Sequence, residues 1–176
     1  MSLSTGKNPD IFMLNHAFQK ERTLEANGTI NVSPTFDAAG TKMAFTSNRM
    51  GGPQIFMKDL ASGSVSRVTK QGNYNTEPSM SPDGTLIAFS RLTSEGNRIF
   101  VQDLTTGTEQ QISFGPGNDV LPSFAPDSYF IAFTSNRSGP NQIYLTTRHG
   151  GDAKKVPTAA ETPRSPAGAR FPVSRA

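Results

Sequence analysis

The chain has 176 residues, no cysteine and a net charge of +3, with 34% apolar residues, 18% charged residues, 16 glycines and 13 prolines. Disulfides and thiolate metal sites are therefore excluded, and no apolar run approaches the ~18 residues that a membrane-spanning helix needs. The positive balance is local: residues 148–176 carry a net +4 and residues 1–147 a net −1, which reads as a solvated basic end, not a nucleic-acid surface.

Residues 1–7, Met-Ser-Leu-Ser-Thr-Gly-Lys, lack an apolar signal core and read as a tag or disordered start. Residues 8–33 read as the second half of a structural unit. There, Asp10-Ile-Phe-Met-Leu-Asn15 matches Gln54-Ile-Phe-Met-Lys-Asp59, 44 positions further on. The first complete unit occupies 34–77. Strand A is predicted at Pro34–Phe36, a turn at Asp37–Gly40, and strand B at Lys42–Thr46. Strand C follows at Gln54–Lys58, a hairpin turn at Asp59–Gly63, and strand D at Ser64–Val68.

Units 78–121 and 122–156 repeat this plan. Pro34, Pro78 and Pro122 are 44 apart, as are Phe45, Phe89 and Phe133, and Ile55, Ile99 and Ile143. Such a period with four short strands per unit is the mark of a repeat fold. The turn Pro82-Asp83-Gly84 places a fixed φ, a side-chain acceptor and a glycine in sequence. Its third copy carries Ser128 at the Gly84 phase, which costs up to about 1 kcal/mol if φ is positive. Residues 157–176 read as a linker and a possible closing strand, Arg170–Ser174.

The B strands are apolar on both faces. Ala44, Ala88 and Ala132 face one way, and Met43/Phe45, Ile87/Phe89 and Ile131/Phe133 the other. Both faces need covers, so the units stack face to face, and four-stranded units stacked about an axis make an all-β propeller. The chain lacks Trp, and with it the Trp-Asp signature of one common propeller class.

The run Pro-Ser-Met-Ser-Pro-Asp-Gly84, then Ile-Ala-Phe-Thr-Ser-Asn-Arg137, then Gln-Ile-Tyr144 resembles the propeller repeats of the TolB family. Leu121–Asp127 is similar to that family's last blade start, and Arg170–Ser174 to its closing strand, although Arg175-Ala176 departs from the usual ending. The resemblance covers nearly the whole chain. It implies the C-terminal part of a six-bladed propeller that an α/β domain precedes. It also implies a periplasmic, cell-envelope protein of the Tol–Pal system that binds the peptidoglycan-associated lipoprotein Pal and other Tol proteins, with a part in protein transport. With three full blades and partial ones, the open faces predict self-association or imperfect closure.

Catalytic signals are sparse. There is no Gly-x-Ser-x-Gly elbow, no His-Glu-x-x-His and no P-loop, so no enzyme, cofactor or metal is expected. Asp83 and Asp127 read as turn residues rather than cation ligands. Ser47-Asn48-Arg49 and Ser135-Asn136-Arg137 are expected to bond loop carbonyls between blades.

The D–A loops are long and variable, at Ala26–Ser33, Lys70–Glu77 and Ser113–Leu121, and recognition tends to sit on such loops. The family resemblance points to the same side. The expected partner-binding residues are Val32 and Ser33, Asn75, Thr76 and Glu77, and Asn118, Asp119, Val120 and Leu121. The competing reading is that they only cap strand A. A second functional reading is the regulatory, substrate-gating propeller of a serine peptidase whose nucleophile lies in another domain. A third, a sugar-binding propeller, would need more loop aromatics than Tyr74 and Phe114.

Overall fold

A computed structural model describes residues 1–4 and 8–157. Every regular element among them is a strand. Sheet 1 contains β1 (Ser2–Ser4), β2 (Pro9–Leu14) and β3 (Lys20–Glu25). Sheet 2 contains β4 (Asn31–Phe36), β5 (Lys42–Ser47), β6 (Gln54–Asp59) and β7 (Val65–Arg67). Sheet 3 contains β8 (Asn75–Met80), β9 (Leu86–Thr93), β10 (Gly96–Asp103) and β11 (Glu109–Gln111). Sheet 4 contains β12 (Asp119–Phe124), β13 (Phe130–Ser135), β14 (Gln142–Thr147) and β15 (Gly150–Lys155).

Each sheet is an antiparallel meander in chain order, and the first strands β4, β8 and β12 lie side by side. The expected all-β propeller architecture is therefore present. The 44-residue period is also visible in pairing: Phe45 faces Phe56, Phe89 faces Phe100 and Phe133 faces Tyr144.

Two strand features differ from the sequence reading. Ser2–Ser4 is a strand rather than a disordered start. The Met1 ammonium donates to the Phe12 carbonyl at 3.0 Å and the Phe12 amide to the Met1 carbonyl at 2.9 Å, which satisfies the edge of β2. The A strands also begin three residues earlier than expected, at Asn31 in sheet 2. The closing-strand reading of Arg170–Ser174 lies outside the described residues.

The core lies between sheets, as the two-faced B strands require. Met43 and Phe45 pack with Ile11, Leu24 and Phe56 between sheets 1 and 2. Ala44 and Ile55 pack with Ile87 and Phe89 between sheets 2 and 3. Ala88 and Ile99 pack with Ile131 and Phe133 between sheets 3 and 4. A fully buried Ile or Phe side chain contributes about 1.5–3 kcal/mol by leaving water, so these three layers dominate stability. The series then stops: Ile55 and Ile99 are 0% exposed, but Ile143 at the same phase is 48% exposed.

Candidate functional site: the heads of the inner strands

Each inner strand starts with a bulge. β4 pairs Val32 with Thr46 and resumes at Thr35 with Ala44. β8 skips in the same way between Thr76 and Ser79, and β12 between Val120 and Ser123. Pro34, Pro78 and Pro122 sit in these gaps, where no ladder N–H is required.

The residue before each proline is left-handed: Ser33 has φ 54°, Glu77 57° and Leu121 54°. None is glycine, and a side chain there costs on the order of 1–2 kcal/mol. A following proline restricts the backbone further. Three such bends at one phase are a designed feature, and strain of this kind concentrates at functional positions.

The bends are tied across blades. The Glu77 amide donates to Thr46 Oγ1 at 3.2 Å. One blade on, the Leu121 amide donates to Glu77 Oε2 at 2.9 Å, and Ser90 Oγ donates to that same oxygen at 2.8 Å. Deeper along the strands, the Met80 amide donates to Thr35 Oγ1 at 3.2 Å and the Phe124 amide to Ser79 Oγ at 3.1 Å. Thus the inner strands are stitched by amide-to-hydroxyl bonds that repeat with the sequence.

The nine expected partner-binding residues divide by burial into three groups. Ser33, Asn118 and Leu121 are exposed, while Val32, Thr76, Glu77 and Val120 are half-buried. Asn75 and Asp119 are wholly buried and serve the core, so they present no surface to a partner. Asn75 Oδ1 accepts from Arg91 Nε at 2.7 Å, and Asp119 accepts both of its bonds from Arg137 Nη2 at 2.9 Å. Asn118 holds neighbouring loops: its amide donates to Asn136 Oδ1 at 2.7 Å and its Oδ1 accepts from the Asn97 amide at 2.9 Å.

Arg91 and Arg137, with Arg49, form one recurrent device. Each guanidinium stacks over a paired aromatic couple: Arg49 on Phe45 and Phe56, Arg91 on Phe89 and Phe100, Arg137 on Phe133 and Tyr144. Each also meets a carboxylate, Glu25, Glu109 or Asp119 respectively. This corrects the expectation that Arg49 and Arg137 bond loop carbonyls. Asn48 and Asn136 likewise use their Oδ1 atoms to accept backbone amides, those of Ile30 and Asn118. Arg98 is the carbonyl binder instead: it is buried and donates to the carbonyls of Glu95, Asn97, Gly115 and Gly117.

Glu25 completes this network between sheets 1 and 2, bonded by Arg49 at 2.7 Å and Lys58 at 2.8 Å. Burial alone would raise its pKa, but the bonds from Lys58 and Arg49 outweigh that and hold the carboxyl below its ordinary value.

At the turns, Asp83 accepts from Ser81 Oγ and the Thr85 amide, and Asp127 from the Tyr129 and Phe130 amides. Those bonds lower both pKa values and give these aspartates a turn-forming role. Among the described residues no cluster of three His, Asp or Glu side chains suits a metal ion.

Sequence reasoning missed part of this rim. Ile30 in the β3–β4 connection, Met50 in the β5–β6 connection and Leu92 near the end of β9 are exposed, as are Tyr74 and Phe114 in the D–A loops. Apolar residues in stretches otherwise rich in Gly, Asn and Ser were the available signal. Together with Leu121 they make the rim partly apolar.

The sequence model of the TolB beta propeller domain matches residues 1–115 and 78–170. The Tol-Pal system protein TolB of Nitratidesulfovibrio vulgaris is 77% identical over 52 residues, which is 30% of this chain and 12% of that protein. TolB from Acinetobacter baumannii superposes with a TM-score of 0.77 at 25% identity, over 86% of this chain and 38% of that one. A putative TolB from Agrobacterium tumefaciens gives 0.73 at 19% identity, over 84% and 56%. The chain therefore spans well under two thirds of the relatives it matches. With nearly the whole chain matched by one repeat family, on a fold shared with solved members, it belongs to the TolB β-propeller domain family.

Proposed function

We propose that this chain is a non-enzymatic protein-binding propeller of the Tol–Pal system, acting in the periplasm and docking Pal through the rim at the heads of its inner strands. The observation that carries this reading is the row of left-handed bends at Ser33, Glu77 and Leu121, joined by the Glu77–Leu121 bond. A strained backbone at one repeated phase holds side chains in fixed directions, which lowers the ordering cost of association. Leu121, Tyr74 and Met50 supply apolar contact area, and Asn118 and Glu77 supply polar specificity. Recognition then resides in side chains on a rigid scaffold, with no bond made or broken.

Isothermal titration with the soluble domain of Pal tests it, using chain whose mass has been checked by light scattering. Saturable binding that weakens at least about tenfold in Leu121→Ala and Tyr74→Ala is expected. The buried Asn75 and Asp119 are unsuitable probes because their loss damages the scaffold. Absence of heat with well-folded chain would count against Pal as the partner of these blades.

A further inference from the structure

The C–D turns carry a plug that the last blade lacks. In sheet 2 the Leu60 amide donates to the Thr41 carbonyl at 2.9 Å, and in sheet 3 the Leu104 amide donates to Thr85 at 2.9 Å. Both leucines pack on the apolar layer shared with the preceding sheet. In sheet 4 the same backbone bond runs from Arg148 to Tyr129 at 2.8 Å, but the side chain is Arg. The turn is also shorter, since Thr147 pairs directly with Gly150.

Where the third leucine would sit there is an open cavity of about 430 Å³. Its apolar lining includes Leu86 and Val101 of sheet 3, and Val101 has the phase of Met57, which packs in the same layer as Leu104. Its polar lining includes Arg148, His149, Gln110 and Asp103. Gln110 Nε2 donates to the His149 carbonyl at 3.1 Å and so braces the turn. The Asp103 carboxylate is turned to its own loop, accepting the amides of Thr105 at 2.7 Å and Thr106 at 2.9 Å.

The Arg148 Nε donates to His149 Nε2 at 3.2 Å, and the guanidinium lies 5.9 Å from the Tyr129 ring centre. Among the described residues its two terminal nitrogens have no hydrogen-bond partner. A guanidinium presents such a pair of donors in the geometry of a carboxylate.

The geometry points to a ligand site in this cavity for an aliphatic side chain next to a free carboxylate. The aliphatic group takes the place of the missing leucine against Leu86 and Val101, and the carboxylate meets the Arg148 fork. This chemistry occurs both in a free N-acyl amino acid and at the C-terminus of a peptide. The volume is within the usual range for small-ligand sites. The site lies at the C–D turns, at the opposite strand ends from the rim discussed above, and does not depend on Pal binding.

NMR titration of the full ¹⁵N-labelled chain with N-acetyl-leucine, N-acetyl-leucinamide and tetraglycyl-leucine tests the site. N-acetyl-leucine is expected to shift the Thr85, Gln110 and His149 amides saturably, with a Kd on the order of 1 mM for so small a molecule. The amide should bind about tenfold more weakly, because it lacks the charged acceptor. Tighter binding of the glycyl peptide identifies a peptide end as the natural form, and weaker binding a free acid. Arg148→Leu restores the plug, so it should abolish the shifts while raising the melting temperature. Arg148→Gln keeps the cavity but should erase the preference for acid over amide. Equal binding of acid and amide to the natural chain, shifts that survive Arg148→Leu, or no shifts at all would each overturn the assignment.

Discussion

Glu77 and Leu121 stand 44 residues apart at the same phase of consecutive blades, and the carboxylate of one accepts the amide of the other at 2.9 Å. In the preceding pair of blades a hydroxyl, that of Thr46, receives the corresponding amide directly. An acid has been placed between Ser90 and Leu121, and it fixes the bend that exposes Leu121. Glu77→Ala should cost about 1–2 kcal/mol, in the lower part of the range for bonds to a charged group because the site is half-exposed. It should also raise hydrogen exchange at Leu121. Unchanged denaturant midpoint and unchanged exchange would remove Glu77 from this role.

The Asp119–Arg137 pair tests the recurrent arginine device. Asp119 is fully buried and Arg137 is stacked on Phe133 and Tyr144. Asp119→Ala should cost about 2–4 kcal/mol, slightly below the range for a fully buried pair because the arginine reaches solvent. Asp119→Asn restores the residue type found at Asn31 and Asn75 and should cost about half as much. A neutral Asp119→Ala would show that stacking alone holds Arg137.

Ser128 has φ 57° at the phase where Gly40 has 65° and Gly84 has 70°. Its hydroxyl accepts a long bond, 3.4 Å, from the Asp83 amide and interacts weakly with the Asp83 carboxylate. Ser128→Gly should therefore stabilise the chain by about 0.5–1 kcal/mol, or roughly 1–4 °C in melting temperature. A lower melting temperature would mean that the hydroxyl bond outweighs the backbone strain.

Acid should destabilise the fold through one shared mechanism. Glu25 and the turn residues Asp37, Asp59, Asp83, Asp103 and Asp127 all have lowered folded-state pKa values. For such groups the unfolded chain binds protons more readily. Their stabilisation is complete above the unfolded values of about 4 and is lost as pH falls through the lower folded values. Melting temperature should be flat from about pH 5 to 7 and fall below about pH 4. Glu25→Gln should lower the plateau and make the acid limb shallower. A limb of the same slope would place the effect on the aspartates alone.

Most of the fold was legible because hydrophobic runs and turn chemistry repeat without insertion. Strands B and C were placed to within a residue at their ends in sheets 2 and 4, but in sheet 3 they run two to three residues further towards their shared hairpin, to Thr93 and from Gly96. Strand A was read too short because Asn-x-x-Pro breaks the ladder and resembles a loop. At the rim, Asn75 and Asp119 were expected to face a partner because they stand just before the blade-start proline on a variable loop. What covers them is an arginine, Arg91 on the neighbouring strand β9 or Arg137 in the turn that follows β13, and that partner was hidden. Arg91 lies two positions before the phase shared by Arg49 and Arg137, so the repeat conceals a device that packing reveals. The Arg148 cavity was also invisible, because a substitution in a turn does not announce the space it leaves.

The exposure of Ile143, beside its covered counterparts Ile55 and Ile99, has a consequence for how cooperatively this chain melts. In a stacked array each unit is stabilised chiefly by its neighbours, so a unit with one neighbour is the weakest link. Sheet 4 should open ahead of sheets 2 and 3, with amides of β14 exchanging through a partial unfolding of lower free energy than those of β6 and β10. The sheets are then graded in stability, although sheets 2 to 4 share one strand plan and one repeat phase.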